Sequence, residues 1–222
     1  MIESEHLFFD LDGTLTDPAP GLTASIEHAL DAVGHPDPPE ADALRDCIGP
    51  PLRDSFARLL DTRDAGRIEA AIDAYRGHYG EVGLYACTLV PGIVGVLEAL
   101  EARAGTCYVV TSKPSMYADR IVDHFGLRSH FAAVYGPGLD GAGTDKRELI
   151  ARVLEQRSIS PYDAVMIGDR KHDVLGARAN GVASIGVLWG YGDLAELRAA
   201  GADHLVERPT ELIGLLGTSQ LS

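Results

Sequence analysis

Two patterns of hydrophobic and polar positions divide the chain. The opening run His6-Leu7-Phe8-Phe9-Asp10-Leu11 is short, aromatic-rich and closes on a carboxylate, which predicts a buried strand from His6 to Leu11. The pattern changes at Pro18. From there to about Gly83, segments 21–33, 41–48, 51–60 and 64–79 space their apolar residues by three or four and are separated by Gly and Pro, so the block is expected to be helical and free of strands. Beyond it, helices near 91–104, 115–125, 145–157, 171–180 and 194–200 are expected to alternate with strands at 106–111, 131–136, 164–169, 184–189 and 204–207.

Strands that alternate with helices imply a parallel sheet covered on both faces. The first strand needs partners that the helical block cannot offer, so later segments must complete its sheet. The expected architecture is therefore α/β, a Rossmann-like doubly wound parallel sheet formed by residues 1–16 and 87–222. Residues 17–86 form an inserted all-helical domain. No internal repeat or low-complexity tract interrupts this scheme.

Composition narrows the partners. The chain has 222 residues, 45% hydrophobic and 23% charged, as an ordinary globular protein does. With 19 Lys+Arg against 33 Asp+Glu the formal net charge is −14, which repels nucleic-acid phosphates and acidic membrane surfaces, and no basic patch overrides it. No apolar run approaches the roughly 18 residues of a membrane span, and the start MIESEHLFF carries acids where a signal peptide would carry bases. A cytoplasmic location is expected, with neither a nucleic-acid polymer nor a membrane as partner, and with the chain a monomer or a homodimer. Cys47, Cys87 and Cys107 lack metal-site or redox spacing and are expected to be reduced, buried and structural.

In an open parallel sheet, ligands bind beyond the carboxyl ends of the strands. The first strand leads into Asp10-Leu11-Asp12-Gly13-Thr14, the strand at 106–111 into Thr111-Ser112-Lys113, and the strand at 164–169 into Gly168-Asp169, with Asp173 four residues on. Lys146 opens the helix after 131–136. Carboxylates converging on one edge repel one another unless a cation sits among them, and a hard divalent metal such as Mg2+ suits an all-oxygen set completed by a substrate phosphate. The alternation of an extended strand sends Asp10 and Asp12 to one side. An EF-hand loop counted from Asp10 would need Gly and Glu where Leu15 and Gly21 stand, which removes the calcium-loop alternative.

These residues resemble the haloacid dehalogenase superfamily of phosphohydrolases along the whole chain, and the insertion at residues 17–86 resembles that family's small helical cap domain. The first family motif reads Asp10-Leu11-Asp12-Gly13-Thr14-Leu15-Thr16-Asp17, the second Val109-Val110-Thr111-Ser112, the third Lys146, and the fourth Gly168-Asp169-Arg170-Lys171-His172-Asp173. The pattern is similar to phosphoglycolate phosphatases and bacterial 5'-nucleotidases, and the basic Arg170-Lys171-His172 leans to the nucleotidase side. The third motif reads Asp145-Lys146-Arg147, without the Lys-Pro pair common in the family.

The resemblance implies a Mg2+-dependent phosphomonoesterase acting on a small soluble phosphate ester through an aspartyl phosphate. It makes Asp10 the nucleophile and Asp12 the acid and base. Mg2+ would be held by Asp10, Asp169 and the Asp12 carbonyl, with Asp173 direct or through water. Thr111 and Lys146 would contact the phosphoryl group, with Ser112 and Gly13 beside them.

Several residues carry a plainer reading as well. Thr111 and Ser112 could cap the following helix. Lys113 rivals Lys146 for the phosphate. Arg53, after the rigid turn Cys47-Ile48-Gly49-Pro50-Pro51-Leu52, is expected to meet substrate, against a solvated alternative. Trp189-Gly190-Tyr191-Gly192 also ends a strand on that edge, with its aromatics expected to pack on a neighbouring helix, and His172 is expected to face outward. The alternatives to a phosphatase are a phosphomutase and, from another class, a phospho-Asp signalling module. The signalling module is opposed by the nucleophile's place on the first strand. A phosphonatase needs a cap amine, and residues 17–86 contain no Lys.

Overall fold

A computed structural model describes residues 2–37, 39–44, 47–48, 51–139 and 143–217. The chain divides into two compact units, residues 1–17 with 89–222, and residues 18–88.

The larger unit is built on six parallel strands: β1 (His6–Phe9), β2 (Thr106–Val110), β3 (Phe131–Tyr135), β4 (Ala164–Gly168), β5 (Ala183–Val187) and β6 (His204–Val206). They lie in the order β3-β2-β1-β4-β5-β6. This is the doubly wound α/β arrangement. The four innermost strands read as nearly unbroken apolar runs because both faces are buried. The first strand is two residues shorter than the apolar run predicts: regular pairing stops at Phe9, although Asp10 N still donates to Ile167 O at 2.9 Å.

Alternation along β1 divides its side chains between two layers. Phe8 joins a core with Tyr108, Val110 and Met166 from the strands and Leu149, Ile150 and Val153 from a helix at Lys146–Arg157. Phe9 points the other way, and its ring meets Phe131 edge-on at 6.3 Å between centroids. Further helices in this unit run Ile93–Glu101, Ser115–His124, Lys171–Ala179, Leu194–Ala200 and Glu211–Leu215. All three cysteines are buried free thiols.

The smaller unit is helical, with helices Ala19–Ala32, Ala41–Leu44, Leu52–Leu59 and Ala65–Glu81 and a short 3-10 turn at Gly83–Ala86. Its core joins Ile26, Leu30, Phe56, Ile72, Tyr75 and Tyr79. Gly49 and Pro50 of the expected turn lie outside the described residues. Among the described residues no helix is long and apolar enough to cross a membrane.

The placement of Phe8 yields a stability prediction. It is fully buried between the sheet and the Lys146–Arg157 helix, so Phe8→Ala should cost about 3–5 kcal/mol in urea unfolding. A loss below about 1 kcal/mol would mean that this layer is not a packed core.

Candidate active site

The sheet order fixes where chemistry can assemble. After β1 the chain moves outward through β2 and β3, then returns to place β4 on the other side of β1, so the order reverses between β1 and β4. The crevice beyond the strand ends at such a reversal is the natural ligand site. Asp10 follows β1 and Asp169 follows β4, so both carboxylates stand at that crevice.

Lys146 reaches the same place from its helix. Asp145 caps that helix, its side chain accepting from Arg147 N at 2.9 Å, which makes Lys146 the first helical residue. Its ammonium lies 3.1 Å from Asp10 Oδ1 and 2.7 Å from Asp173 Oδ1, and donates to Val110 O at 2.8 Å. Asp173 sits in the first turn of the Lys171–Ala179 helix, where its Oδ2 accepts from Arg170 N at 3.1 Å. One carboxylate thus both closes a helix start and pairs with a buried cation.

Lys113 belongs to the site as well, on a different partner. Its ammonium lies 2.6 Å from Asp12 Oδ2, and the Lys113 amide donates to Thr111 Oγ1 at 3.2 Å. Lys113 and Lys146, which the sequence leaves as rivals, thus each face a different carboxylate.

Asp169 is fully buried. It accepts from Tyr191 N at 2.7 Å, with the Thr14 hydroxyl donating at 3.4 Å. A side chain at Gly13 or Gly190 would stand closer than 3.0 Å to the Asp169 carboxylate, and one at Gly168 closer than 3.0 Å to that of Asp173. Gly13 has a second reason to be glycine, a φ of +82°.

Asp10, Asp169 and Asp173 each offer a carboxylate oxygen, and these oxygens all lie within 4.8 Å of one another. The set is all oxygen, which suits a hard divalent cation such as Mg2+ and lacks the thiolates and imidazoles that zinc prefers. Charge points the same way. Fully ionised, Asp10, Asp12, Asp169 and Asp173 carry more negative charge than the ammoniums of Lys113 and Lys146 offset, which favours a divalent ion beside them. Burial and the neighbouring carboxylates of Asp10 and Asp173 push Asp169 up to about 8. Asp173 is raised by burial against the opposing pull of Lys146, and Asp12 is raised by burial against that of Lys113. Burial disfavours the Lys146 ammonium, but Asp10 and Asp173 outweigh it and hold its pKa above the ordinary value.

The family model for haloacid dehalogenase-like hydrolases matches residues 7–187. The chain belongs to that family. It is 45% identical over 199 residues to a 5'-nucleotidase of Pseudomonas aeruginosa, covering 90% of this chain and 89% of that protein. It is 40% identical over 191 residues to the tyrosine-protein kinase PtkA of Mycobacterium tuberculosis, covering 86% of this chain and 64% of the kinase. A crystal structure of a putative phosphatase from Clostridium difficile superposes with a TM-score of 0.91 at 33% identity, covering 97% of this chain and all of that one.

Other residues singled out from the sequence have partners of their own in this haloacid dehalogenase-like hydrolase. The Ser112 hydroxyl donates to Thr144 O at 3.2 Å. Arg53, in the helical unit, pairs with Glu69 on the exposed face of its own helices. Arg170 is turned to Glu196, at 2.9 Å, which also accepts from Lys171 N. His172 is exposed.

The segment after β5 reaches the site by hydrogen bonds that its expected packing role does not include. Trp189 Nε1 donates to Thr14 O at 3.1 Å, Tyr191 N reaches Asp169, and the Tyr191 hydroxyl bonds to Asp17. The physical reason is bare backbone at Gly190, which lets this loop lie directly on Asp169 and Gly13. Trp189 and Tyr191 are thus site neighbours to which sequence reasoning gave only a packing role. Two glycines flanking an aromatic at a strand's carboxyl end were the available signal, since glycine there marks close backbone approach.

A pH-dependent metal response follows from the burial of Asp169. The unfolded chain loses this proton near 3.8, whereas the metal-free folded state keeps it to about 8. The folded state therefore binds more protons across that window, and this contribution to stability falls as pH rises through it. A divalent cation held by these carboxylates would take the place of the proton. The rise in melting temperature produced by millimolar Mg2+ should be larger at pH 8 than at pH 5.5, and an increment independent of pH would contradict the arrangement.

Proposed function

We propose that the chain is a Mg2+-dependent phosphomonoesterase that hydrolyses a small soluble phosphate ester through an aspartyl phosphate on Asp10. The observation that carries this reading is the cluster of Asp10, Asp169 and Asp173 around the Lys146 ammonium beyond the strand ends. A nucleophile, an anion-compensating cation and a hard-metal donor set then share one crevice. When bound, Mg2+ would neutralise charge on the phosphoryl oxygens. Asp10, Asp169 and Asp173 would hold it, with the Asp12 carbonyl as a further donor.

Asp10 attacks phosphorus in line, so one difficult displacement becomes two easier ones. Asp12 protonates the departing alcohol and then takes a proton from the hydrolytic water. Lys146 keeps Asp10 oriented and offsets phosphoryl charge, and Thr111 donates to a phosphoryl oxygen, with Ser112 and Gly13 lining the same phosphate. The helical unit, residues 17–86 with the core at 1–16 and 87–222, would act as a cap that limits water entry, with Arg53 as a candidate substrate-binding residue.

Nucleoside 5'-monophosphates lead the candidate substrates, on the similarity to a 5'-nucleotidase, followed by phosphoglycolate. The net charge of −14 supports a small-molecule partner over nucleic acid or a membrane. Three buried free thiols support a reducing compartment such as the cytoplasm. The chain acts as a monomer or homodimer. A second reading draws on the similarity to a tyrosine-protein kinase: Asp10 would pass its phosphoryl group to a hydroxyl acceptor instead of water.

Two measurements separate these readings. A screen of nucleoside 5'-monophosphates, phosphoglycolate and sugar phosphates with Mg2+ should release inorganic phosphate, with the highest kcat/KM on one class. Phosphate that appears only on a second organic hydroxyl would favour transfer. Asp10→Asn should abolish turnover while the fold is retained by circular dichroism. Wild-type rates in that variant would end the aspartyl-phosphate mechanism.

A further inference from the structure

The chain contains three lysines, and the Lys113 ammonium grips the Asp12 carboxylate. Its side chain is only 6% exposed. The turn that carries it is fixed from several sides. Lys113 N donates to Thr111 Oγ1 at 3.2 Å, and Ser115 N donates to Pro137 O at 2.9 Å. A side chain at Gly136 would run into Lys113 O and Ser115 N. The ammonium takes Asp12 Oδ2 at 2.6 Å, while Asp12 Oδ1 is buried with no hydrogen-bond partner. A buried carboxylate oxygen left without a partner calls for an explanation.

We propose that Lys113 is a positioning residue for leaving-group protonation: by gripping Oδ2 it fixes the Asp12 carboxyl group so that Oδ1 faces the departing ester oxygen. This rests on the phosphatase reading above. As an Asp10 oxygen bonds to phosphorus, the bond from phosphorus to the ester oxygen breaks and its electron pair stays on that oxygen. The ester oxygen takes the proton from Asp12 Oδ1 and leaves as the neutral alcohol, and Asp12 becomes a carboxylate. Asp12 then takes a proton from the water whose oxygen bonds to phosphorus. The Asp10–phosphorus bond breaks, returning the Asp10 carboxylate and releasing phosphate. A carboxyl group free to turn about its bond would present the proton in many directions, and fixing one oxygen removes that freedom. The two buried lysines then divide the work, Lys146 on the nucleophile and Lys113 on the acid.

The test is the dependence of kcat/KM on the leaving group, because kcat/KM reports only the steps through alcohol release. Wild type, Lys113→Met and Lys113→Arg are compared on a series of substituted phenyl phosphates and an alkyl phosphate. Lys113→Met should lose about 100-fold on the alkyl ester, in the range for a positioned acid, and only a few-fold on p-nitrophenyl phosphate, whose leaving group departs as a stable anion. The slope against leaving-group acidity steepens accordingly. Lys113→Arg retains the charge and should restore most of the alkyl-ester rate. Should the Met variant not fold, an intermediate slope in Lys113→Arg carries the same conclusion. An equal loss on every ester would mean that the ammonium contacts the phosphoryl group, and unchanged rates would mean that it does nothing; either overturns the proposal. A wild type that hydrolyses none of these esters would instead overturn the phosphatase reading itself.

Discussion

Lys146 places a positive charge, 3% exposed, between two carboxylates and a backbone carbonyl at the carboxyl edge of the sheet. Removing an ammonium from water costs several kcal/mol, and only close, well-placed acceptors offset it. Asp10, Asp173 and Val110 O supply them, one from the end of β1, one from the first turn of a helix and one from the end of β2. The pairing is therefore specific in three dimensions. Loss of one partner would leave a buried, uncompensated charge, a defect worth about 3–5 kcal/mol in buried pairs. The cluster thus contributes to the stability of this edge as well as to its chemistry.

The same edge is built on bare backbone. Asp169 lies against Gly13 and Gly190, and Asp173 lies over Gly168, each closer than any side chain would permit. Close approach buries Asp169 and brings the carboxylates within reach of one another, and burial together with that proximity raises the Asp169 pKa to about 8. Packing and electrostatics are therefore a single constraint here. Glycines let the acids converge, convergence generates repulsion, and repulsion makes a cation favourable at this point.

Basic side chains are rationed to match. Of the 19 Lys+Arg, three are lysines, and two of these are buried against site carboxylates. A compact ammonium presents a point charge to several oxygens at once, where a planar guanidinium would demand a forked geometry. Arginines appear instead in exposed pairs such as Arg128 with Asp119 and Asp123, or bracing helix starts, as Arg170 does on Glu196.

The sequence by itself determined the class of fold and the edge on which the acids stand. A strand buried on both faces must be written as a continuous apolar run, and a surface helix must repeat near every third or fourth position, so both periods are legible locally. Asp10 and Asp12 are two apart on an extended segment, and Asp169 and Asp173 flank the start of a helix, so their placement at strand ends follows from local periodicity. Tertiary structure decided the rest. Strand order is set by which apolar faces pair across long loops, and only that order makes β1 and β4 neighbours. The division of Lys113 to Asp12 and Lys146 to Asp10 and Asp173, and the descent of Trp189–Tyr191 onto Asp169 and Thr14, join segments more than 20 residues apart. No local period encodes such contacts, because they depend on where the backbone of one loop can touch the side chain of another.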